Sequence, residues 1–249
     1  MRKIAVALTK GGVGKTTTAV NLSAALVQAG KRVLLVDVDT QGQAGRSLGM
    51  EPEVGLAELV MGEASPQEAL VEARPNLWLL AGGGGLAGVK RMIAHKDFGG
   101  ERTLSEALEP LDGQFDYIIL DTAPGWDTLA INALFYADEI LSPVSLEILT
   151  LQGLQDFLRN VQAIQAYHDA LTLRYVVPTF YDRRVKKSEE IIEQLKTYFP
   201  EQMTHPIRYS VRLSEAPGHG QTIFEYAPKS TGVFDYTIVA RIVMKHEQS

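Results

Sequence analysis

The sequence predicts an α/β fold, namely one domain built on a mostly parallel sheet with helices on both faces. Short apolar runs alternate with amphipathic stretches along the chain, which is the pattern of β-α units. Arg32–Val38 is apolar almost throughout, as in a strand whose two faces are both buried. With 249 residues, 45% of them hydrophobic, the chain is long enough to build one substantial core.

Six strands and six helices follow from this alternation. The predicted strands are Ile4–Leu8, Arg32–Val38, Asn76–Leu80, Tyr117–Leu120, Glu139–Val144 and Leu173–Val177. The predicted helices are Thr17–Ala29, Thr103–Leu111, Thr128–Tyr136, Leu151–Tyr167, Ser188–Tyr198 and Gly232–Lys245. In such a sheet, ligands bind at the carboxyl ends of the strands. No linker or repeat interrupts the pattern, so we expect a single domain over residues 1–249.

A run of four glycines, Gly82–Gly85, follows the predicted strand Asn76–Leu80. No lysine followed by serine or threonine stands behind it at the spacing that a phosphate-binding loop needs. We therefore expect a flexible turn here and not a second phosphate site.

The segment between the first strand and the first helix reads Thr-Lys-Gly-Gly-Val-Gly-Lys-Thr-Thr, at residues 9–17. A glycine-rich turn at this place lets backbone N–H groups converge on phosphate. Lys15 is placed to reach the β- and γ-phosphates, and Thr16 to ligate Mg²⁺. The predicted nucleotide contacts are Lys10, Gly11, Gly12, Val13, Gly14, Lys15, Thr16 and Thr17. The sequence thus predicts a P-loop NTPase fold that binds a nucleoside triphosphate with Mg²⁺.

Carboxylates stand at the ends of two further strands. Asp37 and Asp39 are two residues apart and face the same side of an extended chain. We expect Asp39 to orient the attacking water and Asp37 to support Mg²⁺. Asp121 ends the apolar run Tyr117–Leu120, as in a Walker B strand, and is expected to hold Mg²⁺ indirectly. Residues 122–125 then read as a loop able to sense the γ-phosphate.

The phosphate loop departs from the usual Walker A pattern, because Thr9 replaces its first glycine and Lys10 adds a second lysine. With this pair of lysines the chain resembles the ParA/MinD family of deviant Walker A ATPases. Four further segments are similar to that family, and the last two to its chromosomal ParA or Soj branch: Lys31–Gly42, Pro143–Gly153, Thr179–Arg184 and Val211–Pro217. Thr40 in the first of these, and Gln43 directly after it, replace a proline and an asparagine that are usual in the family.

The resemblance implies a cycle. ATP is sandwiched between two subunits of a homodimer, and Lys10 contacts the phosphates of the partner subunit. Lys10, Lys15 and Asp39 are then the catalytic residues. The dimer binds DNA without sequence preference, and a ParB-like activator stimulates hydrolysis. Such a protein acts on the nucleoid in the cytoplasm, in partitioning a chromosome or plasmid or in positioning another cargo. No Asn-Lys-x-Asp guanine signature occurs, which favours ATP over GTP.

The net charge of −6 means that DNA binding requires a local basic patch. Candidate residues are Arg183, Arg184, Lys186 and Lys187, joined by Arg208 and Arg212. A solvated basic loop is the alternative interpretation of the first four. Arg208-Tyr209-Ser210 also stands where the family commonly has Pro-Arg-Asn, in a region that contacts the adenine base and neighbours the DNA surface.

Other functions fit the sequence less well. A MinD-like protein binds membrane through a basic amphipathic C-terminal helix, but residues 233–245 contain only Arg241 and Lys245 as basic residues, so we favour core packing for this helix. No apolar run approaches the ~20 residues of a membrane span, and no signal peptide is visible. The chain contains no cysteine, which argues against a cysteine-dependent reductase or metal-cluster scaffold.

Overall fold

The computed structural model of the chain describes residues 1–246, without the side chains of residues 148 and 149. Its centre is one sheet of seven strands in this part of the chain, in the spatial order β3-β4-β2-β5-β1-β6-β7. The strands are β1 Arg2–Val6, β2 Val33–Asp37, β3 Leu70–Arg74, β4 Leu77–Leu80, β5 Tyr117–Asp121, β6 Glu139–Ser145 and β7 Thr172–Thr179. Neighbouring strands are parallel except for the antiparallel edge pair β3 and β4.

The helices connect these strands. They are α1 Lys15–Gln28, α2 Gln43–Ser47, α3 Leu56–Met61, α4 Pro66–Ala69, α5 Leu86–Ala94, α6 Thr103–Leu108, α7 Thr128–Tyr136, α8 Ile148–Gln165, α9 Lys186–Tyr198, α10 Val211–Glu215, α11 Ile223–Tyr226 and α12 Thr231–Lys245. Short 3-10 turns occupy Gly100–Arg102, Glu109–Leu111 and Ala216–His219. No helix within residues 1–246 is both long and apolar enough to cross a bilayer.

The predicted fold class is confirmed, and all six predicted strands are present with ends within two residues of expectation. The predicted helix Thr103–Leu111 is shorter, since α6 ends at Leu108 and a 3-10 turn that contains Pro110 follows. Proline has no N–H for the α-helical ladder, which explains the change. The edge strand β3 and the helices α2 to α5, α10 and α11 were not predicted from the sequence.

The core has two layers, one on each face of the sheet. On one face α1 and α12 pack together, and Leu22, Leu26, Val239 and Val243 are fully or almost fully buried there. Helices α5 to α9 cover the other face with residues such as Phe157. This arrangement buries both faces of β1, β2 and β5 and leaves their carboxyl ends open at one edge, where the conspicuous sequence motifs meet.

Candidate active site

The loop between β1 and α1 has the geometry of a phosphate cradle. Gly12 and Gly14 adopt φ values of 72° and 87°, in the left-handed region that glycine tolerates best. Gly14 caps the N-terminus of α1, so the first amides of that helix have no helical acceptor. The loop therefore presents backbone N–H groups and the positive end of the helix dipole, and both favour an anion.

Lys15 lies at the centre of this loop. Its side chain is almost completely buried, and Nζ donates a hydrogen bond of 2.9 Å to the main-chain oxygen of Lys10. Burial lowers the pKa of the Lys15 ammonium below its ordinary value, while Asp121 and Asp39 act in the opposite direction. A desolvated cation at a helix N-terminus is a strong attractor for phosphate oxygens.

Asp37 and Asp39 lie at the carboxyl end of β2, as predicted. Asp37 is fully buried and accepts hydrogen bonds from the amides of Asp39 (3.0 Å) and Ala44 (2.9 Å). Burial raises the pKa of Asp37 to about 6, although these hydrogen bonds oppose the shift. The Asp39 Oδ1 atom accepts a hydrogen bond of 2.9 Å from the amide of Gln41. Asp39 is 8% exposed and faces the same cavity as the phosphate loop.

Asp121 ends β5 beside Asp37, with which its strand is in register. Both carboxylate oxygens of Asp121 are buried without a hydrogen-bond partner among the described residues. Thr16 lies close enough to lower the pKa of Asp121, but its hydroxyl does not meet hydrogen-bond geometry. Burial dominates and, with the charge of Asp37, raises this pKa well above its ordinary value.

These orphaned oxygens show that the site fits a cation. Mg²⁺ is usually held by one or two carboxylates together with phosphates and water. Thr16, Asp37 and Asp121 supply such donors, and no cluster of three or more His, Asp or Glu side chains forms an all-protein cage in residues 1–246. The donor set thus suits Mg²⁺ delivered with a nucleotide.

The cavity above these residues has a volume of about 650 Å³. Its lining includes the phosphate loop and Asp39 together with the aromatic residues Phe180, Tyr209 and Tyr236. A volume of this size accommodates a nucleoside triphosphate. Amides that suit phosphate and aromatic side chains thus line one cavity.

Lys10 is not part of the wall of this cavity. Its Nζ atom lies 2.8 Å from Oε2 of Glu147 and 2.7 Å from Oγ1 of Thr150, at the start of α8. The ammonium of Lys10 lowers the pKa of Glu147. The two lysines of the loop therefore point in different directions, with Lys15 turned inward and Lys10 turned toward α8.

The predicted basic residues occupy two neighbouring segments. Arg183, Arg184, Lys186 and Lys187 are exposed at the start of α9. Tyr181 pairs with Arg208 in a parallel bridge, which brings the second segment beside the first. Arg184 is ion-paired with Asp182, and Arg212, on α10, with Glu215. Surface pairs of this kind contribute little stability, so both cations remain able to bind phosphate.

Arg208 differs from the other five basic residues. Its guanidinium makes hydrogen bonds of 2.6–3.1 Å to Asp235, whose side chain is fully buried. His205 contacts the same carboxylate at 3.0 Å, and Arg208 is among the residues that line the nucleotide cavity. The Arg208 side chain is nevertheless 39% exposed, so its predicted place in the basic surface stays a prediction.

Several site residues were not anticipated. Glu147 and Thr150 hold Lys10, and Asp235 holds Arg208, but no local pattern marks a polar residue whose partner is more than 25 positions away. Phe180 lines the cavity with a φ of 57°, a left-handed conformation that bulky residues rarely adopt. Position 180 is occupied by neither glycine nor asparagine, the residues that would have indicated this conformation.

The buried charge of Asp121 leads to a testable expectation. The pKa of Asp121 is higher in the folded chain than in the unfolded chain. The folded protein therefore loses stability as the pH rises above the pKa of the unfolded chain, because the buried carboxyl group must ionise. Asp121→Asn should raise the melting temperature of the protein without nucleotide and Mg²⁺ at pH 8, by roughly 3–6 °C for a gain of about 1–2 kcal/mol.

Calorimetry of both proteins at pH 8 and pH 5 tests this expectation. The difference should shrink at pH 5, where the wild-type carboxyl group holds its proton more often. Added ATP and Mg²⁺ should stabilise the variant less than the wild type. A variant that melts below the wild type at pH 8 would show that the unpaired charge carries no penalty.

A phosphate loop at the N-terminus of the first helix, with buried carboxylates at the ends of two adjacent parallel strands, defines a P-loop nucleoside triphosphatase. Comparison with known proteins narrows this class. The family described as AAA domain matches residues 1–173. The chromosome-partitioning ATPase Soj of Thermus thermophilus is 39% identical over 250 residues, with 100% of this chain and 97% of the relative covered.

The chromosome partitioning protein ParA of Caulobacter vibrioides is 34% identical over 256 residues, which cover 100% of this chain and 96% of that protein. Among solved structures, cobyrinic acid a,c-diamide synthase from Mycobacterium smegmatis, with bound ADP and magnesium, superposes with a TM-score of 0.86. It is 33% identical, and the match covers 100% of this chain and 96% of that one. The chain belongs to the ParA/MinD family of deviant Walker A ATPases.

Proposed function

We propose that this ATPase forms a homodimer when it binds ATP, that the dimer binds DNA without sequence preference, and that a partner protein stimulates hydrolysis and release. The direction of Lys10 carries this proposal. Its ammonium leaves the cavity of its own subunit and contacts Glu147 instead. In this direction Lys10 does not contact a nucleotide bound to its own subunit. It is available to the nucleotide of a second subunit that docks on the carboxyl edge of the sheet.

Within the cavity, each residue has a separate task. Lys15 and the loop amides bind and orient the phosphates, and Asp39 orients a water molecule for attack on the γ-phosphate. Thr16, Asp37 and Asp121 hold Mg²⁺, which neutralises charge on the phosphates when it is bound. Lys10 of the second subunit supplies a further cation, as an arginine finger does in related systems, where the effect is ~10³–10⁵ in rate.

The DNA surface is formed by Arg183, Arg184, Lys186, Lys187 and Arg212 in this proposal. Lys187 also lowers the pKa of Glu147 by its charge, so the start of α9 lies close to the contact between Glu147 and Lys10. The basic surface and the proposed dimer edge are thus neighbours. Dimerisation places two basic surfaces on one particle, which strengthens phosphate binding without reading base sequence.

The biological role follows from the relatives. Two of them are named for chromosome partitioning. We propose the same role for this chain, in partitioning a chromosome or plasmid or in positioning another cargo on the nucleoid, with a ParB-like protein as activator. A membrane role is less favoured, because Tyr236, Val239 and Val243 of α12 are buried against the sheet. Phe234, on the same helix, is 57% exposed and packs against Arg208 and His205.

Lys10→Ala tests the proposal. The variant should bind ATP with an affinity within a few-fold of wild type, because Lys10 is outside the cavity wall. It should remain monomeric with a slowly hydrolysed ATP analogue, since the cation that crosses to the partner is missing. Light scattering after size-exclusion chromatography measures the mass in each state.

Lys96→Ala is the matched control, since Lys96 is a surface lysine paired with Glu106 far along the chain. It should dimerise as the wild type does. A Lys10→Ala protein that dimerises normally with the analogue would refute the cross-subunit role of Lys10.

A further inference from the structure

The glycine run Gly82–Gly85 lies against the acid loop, by which we mean residues Asp37–Gly42. Strands β2 and β4 are parallel neighbours, with Val36 opposite Leu80. The chain segments that leave these two strands therefore run side by side at the carboxyl edge of the sheet. This is the edge on which Asp39 faces the phosphate loop.

Gly82 approaches the acid loop more closely than any residue with a side chain can. A Cβ atom on Gly82 would lie 2.5 Å from the main-chain oxygen of Asp37 and 2.6 Å from that of Asp39. It would also lie 2.9 Å from Oδ1 of Asp37. All three distances are below 3.0 Å, a limit that real Cβ contacts essentially respect. Gly82 is thus in close contact with the acid loop, whereas the turn predicted from the sequence follows at residues 83–85, where a Cβ atom on Gly83 or Gly84 would meet nothing within 4 Å.

Gly83 adds a hydrogen bond to this contact. Its amide donates to the main-chain oxygen of Asp39 at 3.0 Å, and the amide of Gly42 donates to the same oxygen at 3.0 Å. The Asp39 peptide is therefore held from two sides, once from within its own loop and once from the glycine run. Its backbone orientation determines where the carboxylate points.

We propose that Gly82 and Gly83 are positioning residues for Asp39: they hold the acid loop at the distance from the phosphate loop that hydrolysis requires. This inference rests on the proposed role of Asp39 in orienting water. The glycine run would then act in the ATPase reaction through the acid loop, since the contacts of Gly82 and Gly83 described above are to Asp37 and Asp39 and not to the phosphate loop.

Gly82→Ala tests the proposal directly. The acid loop has to move by about half an ångström to admit the new Cβ atom, and displacements of about 1 Å can cost 10²-fold in rate. We expect the basal kcat at saturating ATP and Mg²⁺ to fall at least ~10-fold. The affinity for a fluorescent ATP analogue, measured without Mg²⁺ because Asp37 is proposed to support the metal, should change less than threefold, since the three atoms nearest to the new group belong to Asp37 and Asp39 and not to the phosphate loop.

Gly84→Ala is the matched control in the same run. A Cβ atom on Gly84 meets no atom within 4 Å, and its φ is outside the left-handed region. This variant should hydrolyse ATP within twofold of wild type. A Gly84→Ala protein as slow as Gly82→Ala would overturn the proposal, because the effect would then not depend on contact with the acid loop.

A double-mutant cycle separates a positioning role from general damage. If Gly82 acts through Asp39, then Asp39→Ala with Gly82→Ala should be no slower than Asp39→Ala alone. Additive losses, or a Gly82→Ala rate within twofold of wild type, would overturn the inference and leave the role of Asp39 intact. A normal rate in Asp39→Ala alone would instead remove the proposed function on which the inference rests.

Gly42→Asn perturbs the same contact from the side of the acid loop, and it replaces Gly82→Ala in the test if that variant does not fold. Gly42 has a φ of 61°, a conformation that asparagine tolerates, and its Cβ atom would lie 3.3 Å from the main-chain oxygen of Gly82. We expect a several-fold loss of kcat that disappears in the Asp39→Ala background. A wild-type rate in this variant would contradict the proposal.

Discussion

Lys15→Ala is expected to remove ATP binding almost completely. The ammonium of Lys15 is buried at the N-terminus of α1, and its hydrogen bond to the main-chain oxygen of Lys10 closes the loop. A bound triphosphate would lose two or more charge-assisted hydrogen bonds, together about 3 kcal/mol or more. This corresponds to a loss of affinity of at least ~100-fold.

Isothermal titration with a slowly hydrolysed ATP analogue measures the effect. Lys90→Ala is the control, because Lys90 lies on the same cavity but is paired with Asp127. Its removal takes the same charge from the cavity wall and should weaken binding only a few-fold. Affinity of Lys15→Ala equal to wild type would refute the assignment of residues 9–17 as the phosphate loop.

Asp39→Ala is expected to retain ATP and lose hydrolysis. The carboxylate of Asp39 faces the cavity without being part of the phosphate loop, so its removal spares the phosphate contacts. The rate should fall by ~10²–10⁴, the usual contribution of a positioned general base or water-orienting group. Because hydrolysis ends the ATP-bound state, the variant should accumulate as a dimer with ATP itself.

Phosphate release and light scattering on the same samples follow both effects. Asp116→Ala is a suitable control, since Asp116 precedes β5 at the opposite edge of the sheet and is paired with Arg32. It should turn over ATP at the wild-type rate. If Asp39→Ala also hydrolysed ATP at that rate, another group would orient the water.

The regular part of the fold is predictable from this sequence for a simple reason. Strands buried on both faces, such as β2 and β5, are apolar up to their last residue, and the aspartates at or just after that end carry the chemistry. Asp37, Asp39 and Asp121 are therefore found at strand ends without knowledge of the structure. The edge strand β3 is not predictable in this way, because only Ala73 of its five residues is buried and its pairing depends on β4.

Interactions between distant segments explain the remaining differences. Arg208 looks like one more surface cation until the buried Asp235, 27 positions later, is seen to hold it. Gly82 looks like part of a mobile turn until its approach to the acid loop is measured. In both cases the local residues are compatible with several environments, and the partner that decides between them comes from another element.

We expect ATP to convert this acidic protein into a DNA-binding dimer. Fluorescence anisotropy with several unrelated DNA duplexes, in the presence of ATP, ADP or no nucleotide, tests it most directly. Arg184→Glu and Arg212→Glu probe the basic surface, and Lys196→Glu, at the far end of α9, is the matched charge reversal. Vesicles of anionic lipid serve as the alternative ligand.

We predict binding with ATP only, of similar strength for all duplexes and absent for the vesicles. If each subunit neutralises about three phosphates, log K should fall with log salt at a slope near −5, or ~10³-fold between 50 and 200 mM. Arg184→Glu and Arg212→Glu should weaken binding to every duplex alike, and Lys196→Glu should not. Binding that is indifferent to ATP, confined to one sequence, or directed to the vesicles and not to DNA would contradict the account.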